Sequence, residues 1–180
     1  EHREEIDEIL DTHTPVLTED KDLFINNDGQ MNFLIEGDNL ASLKLLEKTH
    51  KGKIDLIYID PPYNTGKKDF IYDDRYVDKE DSYRHSKWIS FMYNRLHIAK
   101  SLLSKNGVIF ISIDDNELAN LRLLCDNVFG EQNFVAIISV ENNPKGRKNS
   151  NYVSVSNDYC LIYARKINEG YFIENIPKDI

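Results

Sequence analysis

Cysteine is nearly absent: Cys125 and Cys160 are the only two in 180 residues, which excludes a disulfide-built domain. Both stand in contexts that read as helix and strand, so buried free thiols and a reducing compartment are expected. No apolar run is long enough to span a bilayer, and the first ten residues are too acidic for a signal peptide. The expectation is a cytoplasmic protein with no membrane partner. A basic surplus is missing too: 22 Lys and Arg stand against 31 Asp and Glu, a net charge of −9. A nucleic-acid partner usually leaves a basic footprint, so such a surface must be local or lie on another part of the protein. None of the eight glycines, at 29, 37, 52, 66, 107, 130, 146 and 170, lies two residues from another. A Gly-x-Gly loop is therefore absent. His85 and His97 have no Cys or acidic residues at ligand spacing, and no metal site is expected.

What is present is organised around Ile54-Asp55-Leu56-Ile57-Tyr58-Ile59-Asp60-Pro61-Pro62-Tyr63-Asn64-Thr65-Gly66. It opens as a short apolar run, the pattern of a buried strand. Proline cannot donate to a strand ladder, so the strand ends at Asp60. The two prolines hold the next step extended and make a rigid loop at the strand's carboxyl end. Ligands of open α/β sheets bind at such ends. Asp60 offers a carboxylate and Pro61 a carbonyl. Two acceptors side by side suit a planar NH2 group, and Tyr63 supplies a flat face for stacking. An aromatic amine held in this way describes an adenine.

The quartet Asp60-Pro61-Pro62-Tyr63 resembles the signature of amino-methyltransferases acting on nucleobases. Asn32 to Leu40, the extension Asn64-Thr65-Gly66, Gly107 to Glu117, and Asn157 to Ala164 follow in the same order as in one branch of that group. Over roughly residues 20 to 165 the chain is similar to the modification subunits of type III restriction systems. The resemblance implies a site-specific DNA methyltransferase moving a methyl group from S-adenosylmethionine to adenine N6. Asp rather than Ser at position 60 tilts the reading toward adenine; cytosine N4 is the close alternative. It also implies a partial Rossmann-like α/β fold, with a mostly parallel sheet and an antiparallel edge hairpin. Catalytic roles fall to Asp60, Pro61, Pro62 and Tyr63. Cofactor contact falls to Asp38, Asn39 and Asp60, and nucleic-acid contact to Tyr63, Asn64, Lys67, Lys68, Lys145, Arg147 and Lys148. DNA is the expected partner, with a nuclease or helicase subunit in the restriction setting; a homodimer stays open.

In chain order, residues 1–14 read as a charged helix or frayed arm with Ile6, Ile9 and Leu10 on one face. Asn32 to Glu36 reads as a strand, and Asp38 as the cap of a helix bearing Leu40, Leu43 and Leu46. The loop from Gly66 to Tyr76 is long, polar and aromatic, as lids over strand ends often are. Phe70 or Tyr72 could fill the gap left by an extruded base, unless these aromatics pack inward. His85 to Leu103 is the clearest helix, with Trp88 in the core, and Lys105-Asn106-Gly107 is its stop. Val108 to Ile113 reads as a second parallel strand. Asp114 and Glu117 then have capping-box spacing before a helix ended by Phe129-Gly130, the alternative being a direct catalytic role. Phe134 to Val140 and Tyr159 to Ala164 should form an antiparallel edge pair. The basic loop between them carries Lys145, Arg147 and Lys148, whose expected role is phosphate contact; the bland account is a solvated turn.

The expected organisation is an arm over residues 1–30, the catalytic half of a methyltransferase domain over 31–168, and the start of a further region over 169–180. The resemblance places target recognition and a Phe-x-Gly-x-Gly cofactor loop after the catalytic half. With no Gly-x-Gly here, the chain reads as a fragment that is inactive alone. A non-catalytic remnant or interaction subunit is the competing class.

Overall fold

A computed structural model describes residues 16–23, 29, 32–72, 75–142 and 156–167. Three α-helices are present among them: α1 (Asn39–His50), α2 (Arg84–Leu102) and α3 (Leu118–Phe129). The strands are β1 (Ile54–Ile59), β2 (Ile71–Tyr72), β3 (Arg75–Tyr76), β4 (Leu103–Ile113), β5 (Phe134–Glu141) and β6 (Asn157–Ala164). The four longer strands form one sheet in the order β1-β4-β6-β5, and β2 pairs with β3 in a separate small hairpin. No helix among the described residues is long and apolar enough to cross a membrane.

β1 and β4 run parallel, with Ile57 opposite Ile109 and Ile59 opposite Ile111. β6 is antiparallel to both β4 and β5. Thus β1, β4 and β5 share one direction and only β6 opposes them, which is the mixed sheet expected. The edge pair forms as read, with β5 outermost and β6 inserted next to β4. The parallel ladder is interrupted once: Ile54 pairs with Leu103, but Leu56 pairs with Val108. The Lys105-Asn106-Gly107 stop therefore lies inside β4, in this irregularity, and α2 passes into β4 without a loop. Gly107 is needed there because a Cβ would stand 2.8 Å from the Ile54 carbonyl oxygen.

Side chains alternate across a strand. Ile57, Ile59, Ile109, Ile111, Ile113, Leu161 and Tyr163 fall on one face, where α2 and α3 bring Trp88, Met92, Leu96, Leu121, Leu124 and Val128. α1 joins the same layer, setting Leu40 against Ile98 and Leu102. Each such side chain contributes about 1.5–3 kcal/mol on burial. Cys125 lies inside this core and Cys160 is half-buried in β6, both as free thiols.

One expected strand is not there. Residues 32–36 form no regular element and pair with nothing among the described residues, and Leu34 is 94% exposed. A strand needs a neighbour, and no described segment supplies one. The helix after it starts as expected, with Asp38 Oδ1 accepting the Ala41 N–H at 2.9 Å. The arm over 1–14 and the basic loop holding Lys145, Arg147 and Lys148 lie outside the described residues.

Candidate active site at the carboxyl edge of the sheet

The carboxyl ends of β1 and β4 are neighbours, so the loops after Ile59 and Ile113 meet. Asp60 stands exposed at the tip of β1. The next residues are tied down one by one. The Pro62 carbonyl accepts the indole N–H of fully buried Trp88 at 2.7 Å. Trp88 is thus core, as expected, and also a strut under the loop. Asn64 is completely buried and left-handed, with φ 57. Gly66 is also left-handed, at φ 75, and a Cβ on it would come within 2.6–2.9 Å of Lys79 Cβ, Cα and N. The Thr65 N–H donates to Asp69 Oδ2 at 2.8 Å. Among the described residues nothing donates to the Pro61 carbonyl, so it remains an available acceptor beside Asp60.

Tyr63 is half-buried against the main core. Burial first, then the neighbouring Asp60 carboxylate, push its pKa well above the usual phenol range, so at neutral pH it stays a protonated hydroxyl. The Asp60 carboxylate can accept at both oxygens.

More carboxylates gather at this edge. Asp158, at the start of β6, is buried and accepts from the Asn142 side-chain N–H. Asp114, just past β4, is buried, and desolvation raises its pKa, opposed by the Asn116 backbone and side-chain N–H donors.

The capping box expected from Asp114 and Glu117 does not form. Asp114 turns back to the Asn116 N–H at 2.9 Å. Glu117 occupies the cap position of α3 without a side-chain cap bond. Its carboxylate, 0% exposed, reaches across to the β1 loop instead. Oε1 accepts Asn64 Nδ2 at 2.6 Å and His85 Nδ1 at 2.6 Å, and Oε2 accepts Asn120 Nδ2 at 2.7 Å. Arg84 Nε donates to His85 Nε2 at 3.1 Å, which puts the imidazole hydrogen on Nδ1, facing Glu117. Asn64 Nδ2 also donates to the Arg84 carbonyl at 3.3 Å.

Several expected site residues thus stand apart from their expected roles. Asn64 cannot meet a nucleic acid; it is sealed in the network and serves the loop. The Pro62 carbonyl is already taken by Trp88, leaving Pro61 as the proline that can accept. Phe70 is buried 5.2 Å from the Phe91 ring, so it cannot fill a gap in a duplex. Lys67 and Lys68 are exposed, as phosphate contact requires. Asp38 and Asn39 are also exposed, though Asn39 Oδ1 accepts Arg95 Nε at 2.7 Å. His85 and Asn120 carry no site signal in the sequence, and Glu117 reads there first as a cap, with a catalytic role as the alternative. Its one further signal was the acidic run closing an apolar strand, as at Asp60, but only the adjacency of β1 and β4 gives that run its meaning.

Residues 54–179 match the family model described as DNA methylase, covering N6 and N4 enzymes. The chain is 43% identical over 162 residues to the type III restriction-modification enzyme EcoPI Mod subunit of Escherichia phage P1, covering 77% of this chain and 25% of that protein. It is 42% identical over 130 residues to the type II methyltransferase M.KpnI of Klebsiella pneumoniae, covering 72% of this chain and 31% of the relative. It therefore spans about a quarter to a third of the length of these relatives. A Thermus thermophilus protein assigned as a DNA modification methylase, solved with S-adenosyl-L-methionine, shares the fold with a TM-score of 0.53 at 11% identity, over 71% of this chain and 51% of its own. An exposed aspartate at a strand tip, on a loop pinned by Trp88 and by buried Asn64, lies inside the matched residues: this chain belongs to the N6/N4 DNA methylase family.

Proposed function

We propose that the chain carries the amine-binding half of a DNA methyltransferase active site, acting on the exocyclic N6 of adenine. The observation that supports this most is the exposed Asp60 carboxylate beside the Pro61 carbonyl, on a loop whose Pro62 carbonyl and Asn64 amide NH2 are already engaged. A target base inside a duplex is out of reach, so it must flip out, at a few kcal/mol of unstacking. The Tyr63 ring returns roughly 1–3 kcal/mol by stacking. Asp60 and the Pro61 carbonyl each accept one amino proton. The nitrogen's lone pair, otherwise delocalised into the ring, is then directed away from the two acceptors. Positive charge growing on the nitrogen is stabilised by both, and neither must reorganise during the reaction. Asp60 is placed to pass the surplus amino proton toward solvent.

The methyl donor implied by the family is S-adenosylmethionine, which supplies an electrophilic methyl when bound. The described residues fit part of it. Asp38 has a second carboxylate oxygen beyond its cap bond and Asn39 an amide NH2, both exposed at the start of α1. With no Gly-x-Gly loop in this sequence, the rest of the cradle must come from elsewhere in the protein. DNA phosphates fall to Lys67 and Lys68, and to Lys145, Arg147 and Lys148. A restriction subunit is the partner we propose for the whole protein, by analogy with relatives named as Mod subunits.

The test is Asp60→Ala in the intact methyltransferase. Turnover should fall by roughly 100-fold or more, while DNA binding by fluorescence anisotropy is retained. Wild-type turnover in that variant would refute the assignment. Adenine or cytosine as the methylated base is settled by mass spectrometry of digested product DNA.

A further inference from the structure

We propose that Glu117 is a positioning residue for methyl transfer: it holds the Asp60–Gly66 loop in its working shape through Asn64, with His85 and Asn120 fixing its carboxylate in turn. The inference rests on the methyl-transfer reading of Asp60.

Three observations carry it. Asn64 lies four residues after Asp60 in a left-handed conformation, which Asn tolerates better than other non-glycine residues when its side chain is hydrogen-bonded nearby. Its side chain is so bonded: both Nδ2 hydrogens are used, one on Glu117 Oε1 and one on the Arg84 carbonyl. Its Oδ1 has no partner among the described residues, so the tether runs through Nδ2. Second, Glu117 comes from the turn after β4, the strand beside β1. The bond at 2.6 Å therefore cross-ties the carboxyl ends of the two adjacent parallel strands. Third, a buried carboxylate with its donors is seldom more stable than a fully apolar replacement of the whole group, though removing the carboxylate alone strands those donors. What Glu117 adds is direction. It accepts three donors from Asn64, His85 and Asn120, which belong to the β1 loop, α2 and α3. Arg84 fixes the imidazole tautomer that donates to it. The loop that bears Asp60 is thereby referenced to α2 and α3 at once.

Placement of the reacting amine is sensitive: a shift of about 1 Å can lower a rate 100-fold. In the intact methyltransferase, Glu117→Leu should lower kcat roughly 100-fold, leaving KM for DNA and the cooperativity of thermal unfolding unchanged. Glu117→Gln keeps an acceptor for Asn64 and His85, and Asn120 can rotate its amide to match; it should recover most of the lost rate. A role in stability alone predicts neither the kcat-only loss nor the rescue. Should Glu117→Leu fail to fold, His85→Ala carries the test. Its side chain is 42% exposed, so its loss leaves the core intact, and kcat should fall about tenfold, as for one lost hydrogen bond. Asp60→Ala is measured alongside. If Asp60→Ala is inactive while Glu117→Leu, or His85→Ala in its place, turns over at the wild-type rate, the positioning role is overturned and the reading of Asp60 stands. If Asp60→Ala turns over at the wild-type rate, that reading falls and the positioning role falls with it.

Discussion

Asp114 and Glu117 are buried acids three residues apart, and they do different things. Glu117 is surrounded by donors from three elements. Asp114 has only the two donors of Asn116, and faces the charges of Asp115 and Asp158. Burial therefore dominates at Asp114 and raises its pKa in the folded chain. A raised acid binds its proton more tightly folded than unfolded. Its stabilising contribution is then complete below the unfolded value and lost as pH rises through the folded one. Denaturant unfolding of wild type and Asp114→Asn should show this. As pH rises above about 4, the ordinary carboxylate value, the wild type should lose stability relative to the variant. Parallel curves would contradict the assignment.

Among the elements, the β2–β3 hairpin is the one where the structure decides between two readings. Its polar, aromatic composition left open rings free to meet a base or rings packed inward. Phe70 is buried edge-on to Phe91 of α2, and Val77, just past β3, is buried in the same core, so for Phe70 the inward reading holds. The Val77 N–H closes the hairpin on the Phe70 carbonyl at 2.9 Å. The loop after the active site is therefore pinned at its base, and Lys67 and Lys68 project from a fixed stem. Phe70→Ala should destabilise the fold by about 3–5 kcal/mol, read from denaturant unfolding. A loss under about 1 kcal/mol would mean the hairpin is not anchored there.

At the scale of the whole molecule, the three α-helices among the described residues cover one face of the sheet. The other face presents Leu56, Tyr58 and Ile138, with Tyr58 61% exposed, and no described helix lies over it. A parallel pair such as β1–β4 is normally covered on both sides. The isolated 180-residue chain should therefore bind an apolar fluorescent dye. Leu56→Lys with Ile138→Lys should abolish that signal and change stability by no more than about 0.5 kcal/mol per site. Undiminished dye binding in the double variant would locate the apolar surface elsewhere.

Much of this was fixed by local chemistry and so was legible in the sequence. Two prolines after an apolar run end a strand wherever they occur, so the loop at Asp60 followed from the residues alone. The stripe through Trp88, Met92 and Leu96 set α2 to within one residue at each end, because helical periodicity needs no partner to be seen. Asp38 capped its helix as its residue type directs. Only tertiary structure decided the rest. Residues 32–36 did not become a strand, because pairing depends on a neighbour. Asp114 and Glu117 had cap spacing, but β4 lies beside β1, and a buried carboxylate there finds stronger partners across the gap than along its own helix. Local sequence determined where the reactive loop begins; contacts between residues far apart in the chain determined how it is held.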